Sequence, residues 1–473
     1  MKQKILTGSM KKGVKNHIII NCILLFSLLL MSGCEDYLEV DFPNGQLTAN
    51  EVFENEATAR AAVNELYAKL RESTLLTGIS TGMSVSLGLY ADELEYYSTP
   101  GEILDHFYNH TILSTNTGVT ALWNNSYQLI YMANAIIDGI DGSHGLQEET
   151  ANSIKGEALF IRALAHFYLV NLYGDIPYIT TTDYTINSQV ERETSSLVYE
   201  NIVTDLITAK TLLPNQYQTP HRIIPNKAVV SALLAKVYLY IEQWALAETE
   251  SSILIDNIGT YAWVEEPENV FLKESTTTIW QLAPQAEGNN THEASSFIFQ
   301  TSPPPLISLR EELIGAFEPE DLRRVHWIAE ISDGGQTFYH AYKYKQNDVV
   351  SESLEYSIIF RMAEQYLIRA EARLKQGNII GAQDDLNKIR VRAGLPITTA
   401  MTQEELKQAI LDERRVEMFT EHGNRWFDIR RHGVVGEILS PIKPGWSPTN
   451  ILLPIPEYEL LINPNLLPQN PGY

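Results

Sequence analysis

EALFIRALAHFYLVNLYGDIP, residues 157–177, is apolar almost all the way round. Phe160, Leu164, Phe167 and Asn171 fall on one helical face, and Ile161, Ala165, Leu169 and Leu172 on another. A helix apolar on two sides must be covered on two sides, as it would be inside a stack of helical hairpins. Gly174 and Pro177 stop it.

Other segments repeat the theme. In ALLAKVYLYIEQWALAETESSILI, Ala235, Trp244, Ala247 and Leu254 stand at offsets 0, 9, 12 and 19, and in LIRAEARLKQGNIIGAQDDLNKI, Ala370, Ile379, Ala382 and Ile389 do the same. Small residues where two helices cross, with a bulky one between, are the physics of a tetratricopeptide hairpin. A partial third copy has Tyr199, Ile202, Leu206, Ala209 and Pro214 in its second helix; its first helix, Glu157 to Tyr173, lies across an inserted loop. Further upstream, Asn55–Glu72 places Ala59, Ala62, Val63, Leu66, Tyr67 and Leu70 on one stripe, and Leu122–Ile140 spaces Trp123, Tyr127, Ile130, Tyr131 and Asn134 helically. Between Tyr261 and Tyr356 that period fades, and Trp263, Trp280, Trp327, Tyr339, Tyr342 and Tyr344 sit among Pro, Gly, Asn and Ser. This predicts an irregular insertion with a few short strands or helices. Five prolines in Pro454–Tyr473 predict an extended, non-helical tail.

At the other end, Lys2, Lys4, Lys11, Lys12 and Lys15 precede an apolar run from Ile18 to Met31. A membrane-spanning helix needs about 20 such residues, so the run suits a secretory signal peptide instead. Met31-Ser32-Gly33-Cys34 resembles a lipobox: small residues admit a peptidase, and Cys34 becomes the acylated N-terminus. Each buried methylene of the lipid contributes about 0.8 kcal/mol, so several chains anchor stably. Cys22 leaves with the signal, and with only Cys34 remaining neither a disulfide nor a zinc cluster is expected. The expected organisation is a removed signal over 1–33, a lipidated tether over 34–50 and one domain over 51–473. Within that domain, helical repeats fall at about 51–260 and 355–432, the insertion at 261–354 and the tail at 433–473. A formal net charge of −24, more negative still without the leader lysines, excludes nucleic-acid binding.

One helix raises a chemical question. In EELKQAILDERRVEMFTEHGNRWFDIRRHG an apolar stripe begins at Leu406, Ala409 and Ile410 and runs on into Glu413, Glu417 and Glu421. Arg414, Arg415, Arg425, Asp428, Arg430 and Arg431 are close by. Buried acids persist when arginines pair with them bidentately. The expectation is a structural ion network of Glu413, Arg414, Arg415, Glu417, Arg425 and Asp428, with no catalytic residue.

Four blocks in order, GEALFIRALAHFYLVNLYGDIPY, LNKIRVRAGLP, ERRVEMFTEHGNRWFDIRRHG and LLPIPEYELLINPNLLPQNPGY, together with CEDYLEV after the lipobox, resemble the SusD/RagB family from Cys34 to Tyr473. The resemblance implies a mainly α fold in which tetratricopeptide-like hairpins form a right-handed superhelix and a loop-rich insertion forms the ligand face. It also implies a surface-exposed outer-membrane lipoprotein of Bacteroidetes-type bacteria, capturing nutrient for a SusC-like TonB-dependent transporter on which the repeats dock. Glu35 and Asp36 resemble the family's surface-routing signal. No cofactor, metal or enzymatic activity is implied.

Family members contact glycans through the loop after the first helix, which here offers Asp92, Tyr96 and Tyr97, and through the late insertion, which offers Trp280, Trp327, Tyr339 and Tyr342. Sugars present C–H faces to aromatic rings while polar side chains read hydroxyls. Peptide capture is the alternative; Ser295–Gln300 would be a strand for a peptide to pair with. A glycoside hydrolase would need two carboxylates about 5 to 10 Å apart across a cleft; Asp92, Glu93 and Glu95 supply acids, but neither a zinc-hydrolase histidine spacing nor a G-x-S-x-G elbow occurs.

Overall fold

The computed structural model describes residues 49–473. The predicted signal peptide, Cys34 and all but the end of the tether lie outside the described residues. From there the chain is mainly helical. Helix α1 (Glu56–Glu72) starts where the Asn55 side chain accepts a hydrogen bond from Ala57 N–H at 2.8 Å. It is followed by α2 (Met83–Tyr90), α3 (Thr117–Gly142), α4 (Glu148–Tyr173), α5 (Ser195–Leu212), α6 (Lys227–Tyr240) and α7 (Trp244–Ile255). After the insertion and its short helix α8 (His292–Phe297) come α9 (Met362–Lys375), α10 (Ile379–Arg392), α11 (Gln403–Glu417) and α12 (Asn424–Arg431). No helix among the described residues is long and apolar enough to cross a membrane.

Every residue of α4 from Gly156 to Tyr173 is buried, because α3 covers one side and α5 another. Gly174, at φ +76°, ends the helix in a conformation that favours glycine. Helices α6 and α7 pack as one hairpin and α9 and α10 as the next. Helix α7 packs on α9 although the whole insertion separates them in sequence. Ala235, Ala247, Leu254, Ala370, Ala382 and Ile389 are fully buried at these crossings. The stack is therefore continuous in space, and the insertion is a side excursion from it.

That excursion holds short strands and short helices, as its composition leads one to expect. Strands β1 (Leu94–Tyr96), β3 (Ile307–Leu309), β5 (Gln336–Ala341) and β4 (Ile328–Asp333) form one sheet in that order; β2 (Thr278–Leu282) pairs antiparallel with β6 (Ser357–Arg361) in another. Two expectations need correction. Residues 295–300 are not a strand: α8 occupies the first three of them, started by the Thr291 hydroxyl, which accepts from Ala294 N–H at 3.1 Å, and the other three form no regular element. The tail is not wholly extended, since α13 (Glu457–Ile462) follows Pro456 directly, and a helix tolerates proline at its start. The tail still lies on the body: Asn470 Nδ2 donates to Tyr173 O and Leu453 O, and Leu453 N–H to Leu172 O.

Two groups of buried ion pairs tie the repeats to the rest. In one, Glu413, Glu417 and Glu421 meet Arg323, Arg361, Arg392 and Lys343, with Arg323 Nη1 at 2.6 Å from Glu413 and 3.0 Å from Glu417. In the other, Asp92 holds Arg425 at 2.6 Å and Arg415 at 2.9 Å, while Asp428 holds Arg414 and Arg431. The partners of the three glutamates come from the insertion, β6 and α10, not from the neighbouring arginines that the sequence suggested.

Candidate functional site

Of the aromatic residues expected to meet ligand, Tyr96 and Tyr339 lie in strands of the four-stranded sheet, and Tyr97, Trp327 and Tyr342 directly flank its strands. Leu94 lies opposite Leu309, which lies opposite Tyr339, so Tyr96, two residues on from Leu94, shares a face with Tyr339. The Tyr96 hydroxyl donates to Thr99 O, and the Arg324 guanidinium sits 5.1 Å from the Tyr339 ring. Tyr97 turns the other way, edge-on to Phe338 at 5.4 Å, and is 39% exposed. Two residues along β5 from Phe338, His340 meets Phe299 at 5.0 Å and Tyr342 at 5.8 Å. Burial lowers the His340 imidazole below its ordinary value, so the ring is neutral at neutral pH.

Three expected ligand residues do not reach a surface. Asp92 is buried and spent on Arg425 and Arg415. Trp280 is enclosed, with its indole N–H donated to Ile223 O and its ring against Phe160. Trp327 is enclosed likewise, donating to Pro267 O at 2.8 Å. An indole whose N–H is satisfied by an internal carbonyl is a core residue. These three are structural, and Tyr96, Tyr97, Tyr339 and Tyr342 are the predicted residues that remain near solvent.

The structure adds a cleft that the sequence did not disclose. Ile79 and Ser80, from the loop between α1 and α2, face α8 and Pro305–Ile307 across a cavity of about 370 Å³, with Phe299 in its wall. Tyr97 N–H donates to Leu306 O, in the wall of this cavity. His292 also lines a recess of about 70 Å³ with Arg71, Glu72, Asn289 and Asn290. There Arg71 Nε donates to Glu72 at 2.8 Å, and His292 Nε2 lies 3.4 Å from the same carboxylate. The Asn290 Oδ1 atom is buried without a protein partner.

Aromatic wall and polar recess thus meet at His292. Their residues come from the end of α1, the loop after it, the connection after β2, α8 and the approach to β3. No local pattern unites such dispersed contributors, and each of Arg71, Glu72, Asn290 and His292 reads in sequence as ordinary surface. Phe299 had a signal, but it pointed to a strand.

Two family profiles match the chain: one described as "Starch-binding associating with outer membrane" over residues 90–239, and one described as "SusD family" over residues 329–445. Together they cover more than half of it. SusD-like protein P2 of Formosa agariphila is 29% identical, with 94% of this chain and 98% of that protein aligned. SusD-like protein P25 of the same organism is 26% identical over 97% of this chain and 99% of its own length. Among solved structures, a SusD superfamily protein of Bacteroides vulgatus superimposes with a TM-score of 0.78 at 22% identity, covering 89% of this chain and 99% of that one. A protein described as a laminarin-binding SusD-like protein superimposes with a TM-score of 0.73 at 24% identity, covering 89% and 100%.

Proposed function

The chain belongs to the SusD/RagB family, and from that premise we propose that it is a non-catalytic, surface-exposed lipoprotein that captures an oligosaccharide and passes it to a SusC-like TonB-dependent transporter. The observation that carries this reading is the cleft at His292, where a wall containing Phe299 and Leu306, to which Tyr97 is hydrogen-bonded through its backbone, adjoins a polar recess lined by Arg71, Glu72, Asn289 and Asn290. A flat apolar surface beside hydroxyl-reading groups is what a sugar needs. Among the described residues Glu72 is the one carboxylate in the recess, and Arg71 and His292 face it; hydrolysis by paired carboxylates asks for two. The laminarin-binding neighbour supports glycan over peptide, and so does the loss of the strand expected at 295–300.

Calorimetry of the mature protein against laminarihexaose, maltoheptaose and a mixed tryptic digest tests the ligand class. Saturable binding of a glucan, weakened about tenfold by Tyr97→Ala, is expected; loss of one ring contact of about 0.5–1.5 kcal/mol beyond its area accounts for that factor. Saturable binding of peptides alone would replace the reading with peptide capture.

The proposed anchor has its own test. In Cys34→Ser, radiolabelled palmitate should no longer incorporate and the apolar leader should stay uncleaved, because the residue that would carry the lipid and define the lipobox is gone. Palmitate incorporation unchanged in that variant would remove lipidation at Cys34 from the account.

A further inference from the structure

The turn after α11, residues 420–423, carries three left-handed residues: Thr420 at φ +58°, His422 at +50° and Gly423 at +69°. A β-branched or bulky side chain in that region is strained, and such strain persists only where surrounding contacts hold it. Here they do. Thr420 N–H donates to Glu93 Oε1 at 3.2 Å, and His422 N–H to the Ser84 hydroxyl at 3.0 Å. Helix α2 lies so close that a Cβ on Gly423 would meet Leu87 Cδ1 at 2.4 Å.

The buried His422 ring sits between two backbone carbonyls. Its Nδ1 lies 2.7 Å from Leu76 O, in the loop between α1 and α2, and its Nε2 lies 3.0 Å from Ile358 O, in β6. A carbonyl oxygen only accepts, so each ring nitrogen must donate. An imidazole donates from both nitrogens only as the imidazolium. A neutral ring would keep one of the two bonds and turn the lone pair of its other nitrogen on a carbonyl oxygen.

Leu76 belongs to the lip of the cleft at His292. Ile79 and Ser80, a few residues on, line that cleft. Between them, Glu293 of α8 accepts from Gly78 N–H at 3.1 Å and from the Ser357 hydroxyl at 2.7 Å. A Cβ on Gly78 would lie 2.5 Å from Glu293 Cγ, so the lip is seated directly on α8. Glu293 thus holds the lip at Gly78, and His422 holds it at Leu76. The other titratable groups around His422 are Lys343, Tyr344 and Glu421, which border the same small enclosed space as Glu293. Arg361 pairs with Glu421, and Glu93 lies behind Thr420.

We infer that His422 is a positioning residue of the capture cleft: as an imidazolium it ties Leu76 to β6, and loss of its second ring proton frees the lip and weakens capture. The inference rests on the reading of that cleft as the capture site, and adds to it a dependence on pH. A merely structural histidine would hold the turn equally well with one ring proton or two.

The test uses the full mature protein with nitrogen-15 in its histidine rings, assigned by through-bond correlation. At about pH 6 both ring nitrogens of His422 should carry a proton. From about pH 6 to about pH 9, a span covering the usual titration of histidine, amide exchange at 76–82 is corrected for its intrinsic rate. Protection there should fall about fivefold in the parent, the equivalent of one net hydrogen bond. His422→Gln offers a single amide donor group and no charge, so its lip should exchange fast throughout, without that course. Lys343, Glu421, Glu293 and Glu93 are common to both proteins, and the difference isolates His422. Affinity for laminarihexaose should fall with lip protection in the parent only. A neutral ring at about pH 6 in the folded parent, the same pH course in His422→Gln, or constant affinity while the lip loosens would overturn the inference. If His422→Gln does not fold, the parent's ring signals and exchange course decide. A protein that binds neither laminarihexaose nor maltoheptaose at any pH would overturn the capture reading instead, and the ring and exchange results would still decide this one.

Discussion

Glu417→Ala is expected to destabilise the chain by about 3–5 kcal/mol, the usual cost of removing one partner from a buried ion pair. Glu417 is fully buried and receives Arg323, Arg361 and Arg392. Those arginines arrive from the insertion, the end of β6 and α10, so the carboxylate joins three segments far apart in sequence. With it gone, three guanidiniums share Glu413, Glu421 and Asp321 and repel one another. Denaturant unfolding with intrinsic tryptophan fluorescence reads the loss. Glu413→Ala should lower the melting temperature in the same direction, and neither change should selectively abolish glycan affinity. Unchanged stability with lost binding would make the glutamates part of the ligand site instead.

The same cluster sets the acid limit of the fold. Burial alone would raise the Glu417 carboxyl, but Arg392, Arg361 and Arg323 override it and hold the group well below the usual carboxylate range. A depressed folded value contributes stability that is complete above the unfolded value and lost as pH falls toward the folded one. Glu421 and Asp428, also depressed, act with the same sign.

Glu93 should behave in the opposite sense. It is buried beside Asp92, and burial followed by that neighbouring charge pushes its carboxyl up to about 8. The folded chain then binds a proton that the unfolded chain releases near its ordinary value of 4.5. Stability therefore falls as pH rises from about 4.5 to about 8 and levels off above that. Glu93→Gln keeps the oxygen that accepts from Thr420 N–H at 3.2 Å and removes the ionisation. At pH 8 it should be more stable than the parent by several kcal/mol, on the order of 4, while at pH 4 the two should nearly coincide. Subtracting the two stability curves isolates this group from the others. A difference independent of pH would mean that Glu93 stays ionised in the fold.

Much of the scaffold was legible because its signals are local. The two-sided apolar helix at 157–173, the paired alanines of the hairpins and the glycine after Tyr173 each act within a few residues of themselves. Their burial followed, as helical periodicity requires. The tail was read less well, since its proline count masked the proline-free stretch after Pro456 in which α13 forms.

Chain order alone established a helical-hairpin scaffold, an acidic surface, and acids that need cationic partners on a buried helix face. Which cations those are, Arg323, Arg361, Arg392 and Lys343 rather than the adjacent arginines, only tertiary packing decided. So too did the sorting of aromatic residues, with Trp280 and Trp327 drawn inside and Tyr97 left at the surface. The reason is physical: periodicity says that a side chain lies on an apolar face, whereas access to ligand depends on what distant segments cover. A cleft assembled from α1, α8 and the approach to β3 has no existence along the chain until those pieces meet.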